Sequence, residues 1–151
     1  MPAEQKKISP LLVSDIGLFY VCYRLSCMGW KVSLASRDAR GVDLVISSQD
    51  AHKTRTIKVK TLSRRNPVPF GSNIDTLSAD FFVVCVRTVK PNLSGADEPN
   101  PECFVLRKKE LRNGISEWGE GKKKGYWLEP KDYESGTFRG RLNKIGPGTM
   151  P

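Results

Sequence analysis

A single α/β domain is predicted, on three observations. The chain has 151 residues, the length of one compact domain. Apolar residues recur at helical spacing near the N-terminus, and three runs with strand character follow them. Mixed elements then surround a further strongly apolar strand, the order of an α/β or α+β chain.

Residues 1–8 read as a loose tail. The stretch "SPLLVSDIGLFYVCYRLSCMGW" reads as a helix: Ser9 can cap it and Pro10 suits its first position. Leu12, Ile16, Phe19, Tyr20, Tyr23 and Cys27 give its periodicity, and Gly29 can end it in a left-handed conformation. "WKVSLAS" is the first strand, "SRDARG" a charged turn, and "VDLVISS" and "TRTIKVKT" the next two strands, joined through "QDAHK". "LSRRNPVPFGSNIDTLSA", with two prolines and a glycine, reads as a loop. "DFFVVCVRT" is the most apolar strand and is expected to be central. A turn-rich loop, the strand "CFVLR" and the short helix "KKELRNGI" come next. Beyond them a strand is expected around 126–128, a helical turn near 132–134 and a loose end over 147–151, leaving one domain over 9–146.

Hydrophobic residues make up 38% of the chain, too many for a disordered one. Lys and Arg number 25 against 16 Asp and Glu, a formal net charge of +9, and an excess of that size points to a polyanionic partner, most simply nucleic acid. Residues 66–106 hold 2 Lys/Arg against 5 Asp/Glu, so a basic face has to be assembled from both ends of the chain. The longest uninterrupted apolar run, 18–23, is too short to span a bilayer. "MPAEQKK" has no signal-peptide core behind it. A cytoplasmic location without membrane attachment is the expectation. Cys22, Cys27, Cys85 and Cys103 form no CxxC pair and His52 is the one histidine, which argues against structural zinc and for buried, reduced thiols.

The chemistry concentrates in "GVDLVISSQDAHKTRTIKVKT". In antiparallel strands, facing positions have a constant sum, so a turn centred at 50–51 places Asp43 opposite Lys58 and Lys60. Lys58 and Lys60, two apart, share a face, while Ile57 and Val59 point to the core. One carboxylate and two ammonium groups therefore converge. The same pattern also suits an amphipathic strand with a solvated lysine face and an Asp that follows a glycine turn.

The order of helix, strand, "GVDLVI", "TIKVKT" and "SADFFVVCV" resembles the PD-(D/E)xK nuclease-like superfamily, more narrowly small bacterial proteins with a GxDLx…IQVKT-type pattern. "IGLFYVCYRLSCMGWKV", "CFVLRKKEL" and "YWLEPKDY" extend the resemblance over most of 14–145. It implies a central mixed sheet with flanking helices, and hydrolysis of phosphodiesters with Mg²⁺ or Mn²⁺ held by an acid on the second strand and a second acid or amide two positions before a lysine. Carried over, Asp43 is the metal-binding acid, Lys60 the lysine, and the Val59 carbonyl a further ligand. Two positions depart from the pattern. Lys58 stands where an acid or amide is expected, and Leu18 follows Gly17 where many relatives have Glu. At about 4 Å two unit charges interact by roughly 1–4 kcal/mol, and a divalent ion doubles that, so Lys58 opposes a metal. Asp15, on the same helical face as Leu18, is the available substitute carboxylate.

Arg37, Arg40, Arg64, Arg65, Lys122, Lys123 and Lys124 can extend a phosphate-binding surface, with Tyr126 and Trp127 as stacking or core residues. The expectation is a nucleic-acid-binding protein, with DNA as the expected partner, whose Asp43, Lys58 and Lys60 hold phosphate at a degenerate metal site. An active Mg²⁺- or Mn²⁺-dependent DNA endonuclease of restriction or repair type and a non-catalytic interaction module are the alternatives. A homodimer is open.

Overall fold

The computed structural model describes residues 8–36, 41–74, 77–87, 90, 92–120 and 124–149. Helix α1 (Pro10–Cys27) leads into a five-stranded mixed sheet formed by β1 (Lys31–Leu34), β2 (Leu44–Ser47), β3 (Thr54–Leu62), β5 (Phe81–Val86) and β6 (Glu102–Arg107). Its spatial order is β1-β2-β3-β5-β6. Only the β3–β5 pairing is parallel. A second sheet, in the order β4-β8-β7, consists of β4 (Val68–Pro69), β7 (Ser116–Trp118) and β8 (Gly125–Leu128). Helices α2 (Lys108–Gly114) and α3 (Pro130–Tyr133) and a 3₁₀ turn over Leu142–Ile145 complete the domain.

Helix α1 starts where its sequence allows: the Leu12 amide donates to Ser9 Oγ and Pro10 occupies the first turn. It ends before Gly29, whose φ of 92° is a left-handed conformation that glycine adopts without a Cβ penalty. Gly17 sets how closely the helix lies on the sheet, because a Cβ there would fall 1.9 Å from Thr61 Oγ1 on β3. Val21 and Leu25 are buried beside it.

The large sheet separates two apolar clusters. Val21, Leu25, Trp30, Leu44, Ile57 and Val83 pack on the α1 side, and Phe70, Phe82, Val84, Phe104, Leu128 and Tyr133 on the other. Alternate residues of β5 feed both clusters and all six are buried, which is why that strand has no polar face in its sequence. It is flanked by β3 and β6, however, and the middle strand is β3. A parallel neighbour on one side and an antiparallel one on the other bury β5 without putting it in the centre.

Three further expectations are corrected. The segment after β3 is not wholly loop: Val68 and Pro69 pair with Leu128 and Trp127, and a proline is tolerated because β4 is an edge strand. Residues 147–149 are not a loose end. The Gly148 amide donates to the Met28 carbonyl, and its own carbonyl accepts from the Gln49 amide. The cysteines divide. Cys85 and Cys103 are buried, but Cys27 is exposed on α1.

Candidate nucleic-acid interface

Asp43 lies just before β2, held by two backbone hydrogen bonds. Its amide donates to the Ile57 carbonyl and its carbonyl accepts from Ala35. This continues the register of Leu44 opposite Ile57 and puts Asp43 across from Lys58. The carboxylate then does a structural job. Oδ2 accepts the Val59 amide at 2.8 Å, supplying an acceptor where β2 has not yet begun. Oδ1 lies 3.4 Å from Lys58 Nζ. Leu18, Leu34, Ala35, Ser36, Val42, Asp43 and Lys58 line an open cleft of about 320 Å³.

Lys60, two residues along β3 and on the Lys58 face, is held differently. Its ammonium lies 5.7 Å from the centre of the Phe70 ring, a cation–π contact. Among the described residues it makes no ion pair. Burial pushes its pKa below the usual lysine value, and the like charge of Lys58 adds to this against a smaller pull from Asp43. Phe70 lies in a stretch that reads as loop. The alternation Val68, Phe70 in "NPVPFG" is the signal for its inward face. Lys58 and Lys60 are not at a sheet edge, since β3 is the middle strand. The open place is the end of β2, where Asp43 stands in for backbone.

The donor set does not fit a resident Mg²⁺ or Mn²⁺. Such ions take about six oxygen ligands. Here one carboxylate is already engaged by an amide and an ammonium, and Leu18 brings no oxygen to the cleft. Val59, whose amide is one of those partners, offers in its carbonyl a single neutral oxygen. Among the described residues no group of three or more His, Cys, Asp or Glu could hold a metal. Asp15 does not substitute for the missing acid. It lines a different pocket, with Ile8, Leu12, Ile16, Phe19 and Leu93, and is not among the residues of the Asp43 cleft.

The other basic candidates have separate fates. Arg37, Arg40, Lys122 and Lys123 lie outside the described residues. Arg65 is bound to Glu102 at 2.9 Å and to Glu134 at 3.3 Å. Lys124 is bound to Glu117 at 2.7 Å. Arg64 is exposed and lines a shallow pocket with Ser63, Arg65, Val86 and Arg87. Tyr126 is buried, a core residue, and the Trp127 indole donates to Glu129.

No protein-family model and no curated protein matches the chain. Solved structures do. One is the bacterial homing endonuclease I-Ssp6803I, 17% identical, with a TM-score of 0.58 over 91% of this chain and 93% of that one. Another is Hjc of Archaeoglobus fulgidus, a Holliday junction resolvase, 11% identical, with a TM-score of 0.51 over 87% of this chain and 93% of that one. The fold, a mixed sheet with a leading helix, is shared with these two nuclease structures.

Proposed function

We propose that the protein binds DNA through the Asp43–Lys58–Lys60 face, with phosphate taking the place that a metal ion has in a working nuclease site. The observation that carries this reading is Lys60: a half-buried ammonium in the middle strand, beside a second ammonium, with no ion pair among the described residues. An ammonium whose charged form is disfavoured by burial and by the neighbouring Lys58 gains from an anion beside it, and a phosphate oxygen is the anion of a nucleic acid. Lys58 reaches Asp43 at a distance long for a charge-assisted hydrogen bond, so a phosphate competes for it on favourable terms. Asp43 meanwhile keeps the Val59 amide satisfied and its charge turned toward β3. Arg64, exposed and without an ion pair among the described residues, extends the surface beyond the strand.

The test is fluorescence anisotropy with a labelled duplex over a range of salt concentrations. The expected result is weak binding at physiological salt that strengthens steeply as salt falls, because several phosphates are neutralised together. Lys58→Ala with Lys60→Ala should flatten that slope while circular dichroism stays unchanged. Binding indifferent to both salt and these substitutions removes the surface from consideration.

A second reading, a Mg²⁺- or Mn²⁺-dependent nuclease, is favoured by the names of the structural neighbours, an endonuclease and a resolvase. Calorimetry separates the two. In a degenerate site, Lys58→Glu changes the local charge by two units and should tighten Mn²⁺ binding over the wild type. Metal-dependent cleavage of plasmid or branched DNA by the wild type, abolished in Asp43→Ala, would establish the nuclease instead.

A further inference from the structure

Two of the cysteines form a pair across strands. Cys85 of β5 and Cys103 of β6 are register partners, and their Sγ atoms lie 3.1 Å apart. Antiparallel strands alternate between pairs that exchange hydrogen bonds and closer pairs that do not, the latter with Cα atoms about 4.5 Å apart. Cys103 belongs to the closer kind. Its carbonyl turns away from β5 to accept the Gly140 amide, and the Val105 amide likewise donates outward, to the Phe138 carbonyl. A Cα separation of about 4.5 Å falls inside the range of roughly 4.4–6.8 Å that a disulfide spans. Backbone and sulfurs are thus already placed for a bond. The thiols of α1 are not. Cys22 and Cys27 stand about 140° apart around the helix, the first half-buried and the second exposed.

The pair is asymmetric. Cys85 is fully buried, whereas Cys103 is 6% exposed. The hydrogen bond with Cys103 and, after it, burial push the Cys85 thiol well up, so Cys85 keeps its proton and donates it to the Cys103 sulfur. Both sulfurs belong to the apolar cluster under α1. There the Arg24 guanidinium, which donates to the Tyr20 hydroxyl at 2.9 Å, has its pKa raised by Tyr20 above all and further by Cys103. That puts a cation within electrostatic reach of Cys103, and a cation beside a sulfur favours the thiolate, the nucleophilic form.

We propose that Cys85 and Cys103 are a peroxide-reactive pair, Cys103 attacking and Cys85 resolving, which closes a disulfide between β5 and β6. The Cys103 thiolate attacks one oxygen of hydrogen peroxide. The O–O bond breaks, the sulfur gives up two electrons to become a sulfenic acid, and the departing hydroxide takes a proton to leave as water. The Cys85 sulfur then attacks that of Cys103. The S–S bond forms, the S–O bond breaks, and the hydroxyl leaves with the Cys85 proton as a second water. Two thiols and one peroxide thus become a disulfide and two waters. Peroxide is uncharged and little larger than water, which suits a sulfur so nearly covered. A bulky disulfide oxidant needs an open line of attack that Cys103 lacks. The product is a covalent clasp around the loop 86–102, which carries Glu98, the partner of Arg87.

The test treats the whole folded chain with a small excess of hydrogen peroxide, alkylates it with N-ethylmaleimide in denaturant, and reads it by mass spectrometry. The expected result is two alkylated thiols, Cys22 and Cys27, and a peptide pair joining Cys85 to Cys103 that dithiothreitol separates. The oxidised chain should unfold with an equilibrium constant lower by roughly a hundredfold, as closing a loop of that length does. Cys85→Ser should stop at a Cys103 sulfenic acid that dimedone traps, and Cys103→Ser should leave Cys85 open to alkylation. Full alkylation of the wild type after peroxide, a linkage through Cys22 or Cys27, a Cys85–Cys103 bond formed only in denaturant, or equal peroxide consumption by the two serine variants would each overturn the proposal. The wild-type peptide map decides it even where a serine variant fails to fold. None of these readouts depends on DNA binding.

Discussion

The cations at the ends of the strands and those in the middle of β3 belong to the same basic chain and have opposite roles. Arg87, just past β5, is 6% exposed and bidentate to Glu98. Lys144 donates to the Val105 carbonyl and to both oxygens of Glu110, and lies 4.7 Å from the Phe138 ring centre. Arg65 has two carboxylates. In β3, by contrast, Lys58 has a single long ion pair and Lys60, over the Phe70 ring, has none among the described residues. Formal charge thus overstates what is available to a polyanion. Cations with full hydrogen-bond complements hold loops to the sheet, and those with incomplete ones are left to meet an outside anion.

The largest effect that would break this comparison lies at Glu98. Glu98→Ala strands the buried Arg87 without a counter-charge and should cost about 3 kcal/mol in chemical denaturation. A loss below about 1 kcal/mol would mean that Arg87 finds water, and that its pair is no tether. Next is Lys144→Met, which removes a buried ammonium from two partners and should cost about 1–2 kcal/mol while leaving DNA affinity untouched.

Lys60→Met reverses the pattern: it should preserve stability or raise it, and weaken DNA binding. The pH dependence sharpens this. Burial and Lys58 depress the folded-state pKa of Lys60, so between that value and the unfolded value near 10.5 the unfolded chain binds the extra proton. The wild type should therefore gain stability as pH rises through this window, and Lys60→Met should lose that gain. The smallest effect is at Lys58→Ala, whose ion pair is a quarter exposed and should be worth less than about 1 kcal/mol. Its mark should appear in the salt dependence of DNA binding instead.

The division between these cations was only partly legible in the sequence. The hairpin arithmetic places Asp43 across from Lys58, because register follows from strand alternation and the turn. The element order was readable for the same reason, through α1 and β1 to β3. What short-range pattern does not carry is pairing between distant positions. Arg65 meets Glu102 and Glu134 across 37 and 69 positions, and Arg87 reaches over a proline-rich loop to Glu98. Phe70, the ring under Lys60, was lost in a stretch whose prolines read as loop, since beside an edge strand of two residues the one alternation of Val68 and Phe70 is too short to stand out. Asp15 was misread because neighbours at i and i+3 on a helix can still line different pockets, Leu18 the Asp43 cleft and Asp15 another.

Gly17 bears on how the cleft answers a movement of α1. With no side chain to compress, α1 meets β3 at Thr61 without clearance, so the helix cannot roll against the sheet by even a methyl radius. Leu18 and Phe19 are consecutive, one lining the Asp43 cleft and the other the Asp15 pocket. A displacement of α1 as a rod would move Leu18 and Phe19 together. Even alanine at position 17 would wedge the rod outward and change the width of the cleft.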